Sequence, residues 1–501
     1  MVANEKDTSA NQQRYRSVLK SSSIIGGSAF ISIVIGMIRT KFVAVLLGPA
    51  GVGLMSMYTA MLAPVTTASN LGINASGVRA IAEASGQDDF NRIALVVKTL
   101  RLSVWFSGFF GCLITVALSS WLSSITFQNT DHAFSVAFLG ITVLFANISI
   151  GQTCVLQGTR RILSVAKISV FGAVNGTVVS IPCFYLWGEA GIVPSLILTS
   201  FFALLTSWWF ARKVVIADIE VSWAHAIAEA KKLLGFGLPI MATALQGVCV
   251  AYFLRLIIAN QFGLAGVGVW SAAFAVSGIL VNFVLNAMGT DYYPRLASVA
   301  LNNALIEKEV NAQLEIALLL ALPALLATVL FAPIGIELLY SGKFNDAIPI
   351  LRWSVYGIFG RVISWPLSYI IIAQGRGKFF CAAELLANLA HVLLIYTCSK
   401  LWGLPGTGIG FMILYIYYFV FMVVTAHFIA KTHFSLGNLK LILNSIFLLV
   451  FASCMHIFIQ NHFVYYANSF ALSLVVIWVV LRRISRLTGV TLNGFKARFK
   501  R

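Results

Sequence analysis

Charge is scarce in this chain. Asp, Glu, Lys and Arg make up 10% of its 501 residues, against roughly 25% in a soluble globular domain. Acid is scarcer still: 17 Asp and Glu face 35 Lys and Arg, a formal net charge of +18. With 59% hydrophobic residues and a mean hydropathy of +0.89, only an integral membrane protein fits. The basic excess does not point to nucleic acid, because it forms no stripe or soluble domain and sits at the ends of apolar runs. The seven cysteines include no CxxC pair and all lie in apolar runs, so they read as small apolar helix residues, not disulfides or metal ligands. No P-loop, HExxH or GxSxG is present, so energy is expected from a gradient, the membrane potential or the substrate itself, and neither enzyme activity nor a cofactor is expected. No signal-peptide cleavage pattern precedes Gly26.

What the chain has is long apolar runs. A span needs about 20 apolar residues, and on that rule helices are expected near 20–47, 52–72, 93–118, 135–156, 165–187, 190–211, 233–261, 265–290, 313–333, 349–373, 379–401, 404–430, 439–459 and 463–481. The chain also repeats itself. Gly48-Pro49-Ala50-Gly51-Val52-Gly53 returns as Gly263-Leu264-Ala265-Gly266-Val267-Gly268 at an offset of 215. Asn70 and Arg79 return as Asn286 and Arg295 at 216, Gln157-Gly158-Thr159-Arg160 as Gln374-Gly375-Arg376 at 217, and Trp187-Gly188 with Gly191 as Trp402-Gly403 with Gly406 at 215. Four ordered matches at one spacing indicate a duplicated membrane unit. The expected domains are an N-lobe at 1–211, a cytoplasmic amphipathic linker at 212–232, a C-lobe at 233–431, and a last helix pair with a basic tail at 432–501. The two glycine-rich segments read as short outer loops, where glycine tolerates the turn.

Lys and Arg set the orientation. With the N-terminus inside, 28 of the 35 fall on the cytoplasmic side and only Lys343, Arg352 and Lys400 outside. Two six-helix lobes with an even number of crossings share one orientation, so a pseudo-two-fold axis along the membrane normal is expected. The fold class is therefore all-α polytopic, with two additional C-terminal helices and about fourteen crossings.

Four cations remain inside the membrane: Arg39, Lys41, Arg255 and Arg361. Each costs about 2.5–3.5 kcal/mol near a helix centre unless it faces a polar cavity or a partner. Lys41 either faces such a cavity or snorkels outward. The three arginines either hold cargo or pair with a carbonyl or acid. Arginine forks onto phosphate oxygens and stays charged when buried, so an excess of it asks for an anionic cargo, and pyrophosphate fits. Asn70, Asn175, Asn282, Asn286 and Asn388 lie on or near spans and either bond sugars or tie helices together. Asp291 and Glu384 are the candidates for ion coupling by H⁺ or Na⁺, although Asp291 stands i,i+4 to Arg295 and a local pair competes. His391, His427 and His456 read as packed. Gly172xxxGly176 and Gly406xxxGly410 read as close helix approaches.

Several motifs resemble a known group. They are Leu46-Leu47-Gly48-Pro49-Ala50-Gly51-Val52-Gly53-Leu54, Gly268-Val269-Trp270, Tyr293-Pro294-Arg295-Leu296, Ser341-Gly342-Lys343-Phe344 and Phe379-Phe380-Cys381-Ala382-Ala383-Glu384. They are similar to bacterial polysaccharide flippases of the Wzx type, in the O-antigen and enterobacterial-common-antigen branch of the multidrug/oligosaccharidyl-lipid/polysaccharide (MOP) exporter superfamily. The resemblance covers about 20–430. It implies twelve core helices and passage of an undecaprenyl-pyrophosphate-linked oligosaccharide from the cytoplasmic to the periplasmic leaflet of the inner membrane. It also implies a cationic cavity carried over to Arg39, Arg255 and Arg361. By position alone, the last helix pair resembles that of peptidoglycan lipid-precursor flippases. Partners expected on this reading are the lipid-linked oligosaccharide, membrane lipids, and the polymerase and chain-length regulator of such a pathway. The rivals are a MATE-like drug/cation antiporter, a peptidoglycan lipid-precursor flippase, a non-transporting membrane scaffold and a membrane-embedded enzyme.

Overall fold

A computed structural model describes residues 2–488 apart from 88, 218, 220, 221 and 460. Side chains are described from residue 24 to 486, leaving out also 280, 282–284, 286, 287, 290, 456 and 457. The expectations on Asn282, Asn286 and His456, and on the basic groups of the first 20 residues and of the tail beyond 488, lie outside the described side chains.

Every regular element among the described residues is helical. In chain order they are α1 (Val2–Asn70), α2 (Ile73–Gly86), α3 (Phe90–Ala117), α4 (Ser119–Phe127), α5 (Ala133–Gly158), α6 (Ile162–Trp187), α7 (Ile192–Ala211), α8 (Trp223–Ser298), α9 (Asn303–Leu330), α10 (Ala332–Leu339), α11 (Ala347–Ala373), α12 (Gly377–Trp402), α13 (Gly406–Ala430), α14 (Leu436–Phe458) and α15 (His462–Thr488). Eleven stretches are long and apolar enough to cross a membrane. Three of these run for 47, 50 and 57 residues. At 1.5 Å per residue such lengths exceed roughly 60 Å, about two hydrocarbon cores. Each is broken once, by Gly48 (φ 65°), Gly188 (φ 54°) and Gly263 (φ 69°). Dividing them there recovers the fourteen expected crossings. The chain is a multi-pass membrane protein.

The supposed outer loops at Gly48 and Gly263 are shorter than the sequence suggested. A single residue leaves helical geometry, at φ/ψ of 65°/−170° and 69°/−176°, and the helix resumes at once. Pro49 opens the new turn, where its missing N–H has no acceptor to lose.

The chain forms two compact units, Met1–Leu256 and Ile257–Arg501, so the boundary falls inside α8. In the first, α3 and α7 pack on α5, and α6 packs on α1 and α7. In the second, α9 and α13 pack on α11, and α12 packs on α13. The two units thus share one packing scheme, as duplication requires. Positions α6 and α12 start and end at the same offset, 215.

Backbone hydrogen bonds fix the register of the copies. Arg161 N donates to Leu156 O as Arg376 N donates to Ile371 O, and Arg160 N to Gln157 O as Gly375 N to Ile372 O. All four pairs stand at 215, so Gly375 is the counterpart of Arg160. The match of Gln157-Gly158 to Gln374-Gly375 at 217 was two residues out. The turn needs one left-handed residue: Gly375 supplies it at φ 72° and Arg160 at φ 56°, so identical letters were a poorer guide than backbone shape.

The last two helices dock on the second unit through α9. Arg483 pairs with Glu315 at 2.6 Å. Tyr465 Oη donates to Leu330 O at 2.9 Å, and Asn438 Nδ2 donates to Asn311 Oδ1 at 2.8 Å. Within α11, Leu351, Val355, Ile358 and Val362 are buried along with residues on the other faces, as expected of a helix enclosed on all sides.

Candidate functional site

Arg39, Lys41 and Arg255 all belong to the first unit. Arg39 lies on α1, and its Nη1 lies where a Cβ on Gly176 of α6 would come within 3.2 Å. Gly176 therefore makes room for a guanidinium. The expected close helix approach at Gly172xxxGly176 is not what these glycines provide, since nothing lies within 4 Å of a Cβ built on Gly172. Gly406xxxGly410 does bring backbones together, with a Cβ on Gly410 meeting Leu394 O at 3.0 Å. Nε of Arg39 is buried with no hydrogen-bond partner among the described residues, and so is Oγ1 of Thr199, which shares the Gly176 neighbourhood. Such orphaned donors are costly and mark a place where a ligand or water would be held.

Arg255 lies on α8. Its Nε donates to Ser56 Oγ at 2.8 Å and its Nη1 to Ala251 O at 2.8 Å. Both acceptors are neutral groups that orient the guanidinium. Ser56 was not foreseen; only tertiary packing brings α1 to that face of α8. Tyr252, one turn away, shares a hydrogen bond with Thr126 Oγ1 of α4 at 2.5 Å. Lys41 is partly buried on α1.

Asn70 is used differently. It is buried, donates to Asn147 Oδ1 at 3.3 Å and accepts from Asn74 N at 3.3 Å. Asn147 in turn donates to Ser69 Oγ and Val143 O. The pair ties α1 to α5, the interhelical alternative for intramembrane amides. Asn175 bonds Thr206 Oγ1 at 3.2 Å in the same manner.

The second unit holds a polar cavity of about 290 Å³ between α11, α12 and α13. Arg361, Trp365, Glu384, Asn388, His391 and Tyr418 are among its walls. Tyr418 Oη donates to Glu384 Oε1 at 2.6 Å. Glu384 thus joins Arg361 in one chamber. Asp291 is elsewhere, with its side chain 74% exposed and paired to Arg295 at 3.0 Å. Arg295 also reaches Glu309 at 2.8 Å and Gln313 at 3.1 Å, so the i,i+4 pair anticipated from sequence is part of a rim network. His391 read as packed; it instead lines the cavity, with Nε2 buried and unpartnered. A signal for it existed in the sequence. Glu384, Asn388 and His391 follow i, i+4, i+7, and Arg361, Trp365 and Ser368 repeat that spacing on α11, which puts each trio on one helix face.

A family model described as polysaccharide biosynthesis protein matches residues 42–349. The chain belongs to that family. Two relatives, each called lipid III flippase, from Escherichia coli (strain K12) and Shigella flexneri, are 22% identical over 413 residues, covering 80% of this chain and 96% of theirs. Among solved structures, the chain is similar to an inward-facing MATE family transporter of the MOP superfamily, with a TM-score of 0.66 at 18% identity over 80% of this chain and 96% of that one. It is also similar to the lipid II flippase MurJ in an inward closed conformation, with a TM-score of 0.68 at 13% identity over 92% of this chain and 98% of that one. The fold is that of the MOP superfamily. The wider match to MurJ takes in part of the chain beyond the twelve core helices, in line with the positional resemblance of the last pair.

Proposed function

We propose that this member of the polysaccharide biosynthesis family is a flippase. Its cargo is an undecaprenyl-pyrophosphate-linked oligosaccharide of the O-antigen repeat type, moved from the cytoplasmic to the periplasmic leaflet by alternating access, without catalysis or cofactor. The observation that carries this reading is Arg39, an arginine inside a membrane span whose Nε is buried with no partner among the described residues. Arg255 donates to a hydroxyl and a carbonyl. A positive charge so placed is stabilised by an anion that arrives and leaves. A pyrophosphate entering bare hydrocarbon meets a Born cost of tens of kcal/mol, and guanidinium forks remove most of it. Arg39 and Arg255 in the first unit and Arg361 in the second are the cargo-holding cations, with Lys41 beside them; Asn286 would bond sugar, and Asn70 supports the first unit's frame.

Both termini are cytoplasmic on the charge asymmetry, and the membrane is the bacterial inner membrane. Coupling to H⁺ or Na⁺ falls to Glu384, partly buried at its cavity, sooner than to exposed Asp291. The polymerase and chain-length regulator of the same pathway would receive the product. The test is flipping of fluorescent lipid-linked oligosaccharide in reconstituted vesicles. An Arg39→Ala/Arg255→Ala double variant is expected to lose at least tenfold in rate. An unchanged rate would remove the proposal and favour a scaffold.

A second reading, drug/cation antiport, is favoured by Glu384, which lines the polar cavity, and by the likeness to a MATE transporter. It predicts saturable uptake of an organic cation that Glu384→Gln abolishes and the arginine pair does not affect.

A further inference from the structure

The cavity between α11, α12 and α13 differs in its chemistry from two larger ones. Cavities of about 480 and 450 Å³ are walled almost wholly by apolar side chains. This one, at about 290 Å³, is as polar as it is apolar. Its volume stands at the low end of the roughly 300–1,000 Å³ of small-molecule sites. It equals about ten water volumes, room for a single ring and no more.

Its charges oppose one another. Arg361 and Glu384 both line it, and both act electrostatically on Tyr415, which lines it too. One cation and one anion leave no net charge to reward a phosphate or an ammonium. What they do offer is a guanidinium, a donor group, on one wall and a carboxylate, which also accepts from Tyr418 Oη, on another. A vicinal hydroxyl set is the ligand group that both accepts and donates. Nε2 of His391, buried and unpartnered, supplies one more unmet polar atom at this cavity. The amide of Asn388 adds both a donor and an acceptor.

Aromatic surface completes the pattern. Trp365 is braced by Tyr369 at a centroid distance of 4.7 Å and by Tyr292 at 5.6 Å. Gly289 leaves room for the indole, since a Cβ there would meet Trp365 Cζ2 at 3.3 Å. A rigid indole presents an apolar plane to the C–H face of a pyranose.

We propose that this cavity is a subsite for one uncharged pyranose, a neutral hexose or N-acetylhexosamine, of the transported glycan. The inference rests on the reading that the cargo carries sugar. It gives Arg361 the work of a sugar ligand balanced by Glu384, distinct from that of Arg39.

The experiment uses purified full-length protein in nanodiscs and four probes: N-acetylglucosamine, glucuronate, glucosamine and inorganic pyrophosphate. Saturation-transfer NMR reads the sugars and phosphorus line broadening reads pyrophosphate. Wild type is expected to favour N-acetylglucosamine at least fivefold over both charged sugars. Trp365→Ala should abolish the signal and Trp365→Phe retain part of it. Glu384→Gln should shift preference to glucuronate, and Arg361→Gln to glucosamine, because each leaves the opposite charge uncompensated. Arg39→Ala should weaken pyrophosphate and leave the sugar signal unchanged. Pyrophosphate binding without any sugar signal would overturn the subsite and leave the flippase reading standing. A sugar signal without pyrophosphate would do the reverse, and silence from all four probes would sink both. A sugar signal indifferent to Trp365 and Glu384 would also overturn the subsite.

Discussion

Gly72 and Gly375 form a matched pair for measuring how much close backbone packing contributes at the α1–α2 junction. Both have left-handed backbone, φ 70° and φ 72°, Gly375 at the hydrogen-bonded turn that ends α11. A Cβ in that region costs about 1–2 kcal/mol whatever surrounds it. The surroundings differ. Nothing lies within 4 Å of a Cβ built on Gly375, whereas on Gly72 it would run into the carbonyl of Gly237 on α8. Gly237 returns the contact, its own Cβ meeting Leu71 O at 2.6 Å. A carbonyl on a helix cannot rotate away as a side-chain tip can, so α8 must retreat from the α1–α2 junction. Forced overpacking of this kind adds about 1–3 kcal/mol. Gly375→Ala is therefore expected to lose about 1–2 kcal/mol, and Gly72→Ala about 2–5 kcal/mol, the sum of the two effects. Thermal unfolding in detergent, followed by reaction of the buried thiols of Cys154, Cys183 and Cys398, gives the ordering directly. Equal losses for the two variants would refute the argument, since only the strained dihedral would then be acting.

Three further outcomes are expected. The Arg483–Glu315 pair, with side chains 39% and 21% exposed, should show a coupling of about 0.5–1 kcal/mol in a double-mutant cycle, weakening with salt; zero coupling would mean that α15 is held on α9 by packing alone. His132, at the start of α5, bonds Tyr58 Oη through Nδ1 at 2.8 Å, and burial pushes its imidazole below the ordinary value of 6.5 against a smaller upward pull from Asp131. The unfolded chain then binds the proton first. The stability His132 contributes is present above pH 6.5 and is lost as pH falls toward its lower folded value, so melting midpoints of wild type and His132→Gln should converge from pH 7 to pH 5; parallel profiles would contradict this. Membrane-impermeant maleimide on intact cells should label Lys343→Cys and spare Gln87→Cys, with the unmodified chain as background; the opposite pattern would invert the topology.

The amino-acid sequence carried the parts of this protein that are local. Apolar run length gave the crossings, because a bilayer imposes one length on every span. The glycines at 48, 188, 263 and 403 showed where helices break, and all four have positive φ, because backbone freedom belongs to the residue itself. Arg39, Arg255 and Arg361 stood out because a charge is conspicuous in a run of apolar residues. Partnership was another matter. Sequence matching put Gly375 opposite Gly158, and only the hydrogen-bonded turn showed its true counterpart to be Arg160. Gly176 looked like a helix-packing glycine and instead clears space for Arg39. Asn70 could either bond sugar or tie helices together, and it is spent on Asn147. His391 looked like filler and lines a cavity with Trp365, Glu384 and Arg361. Helical spacing says which residues share a face. It does not say what that face meets, because each helix's rotation is chosen by contacts with segments up to about two hundred residues distant, as Ser56 and Arg255 illustrate.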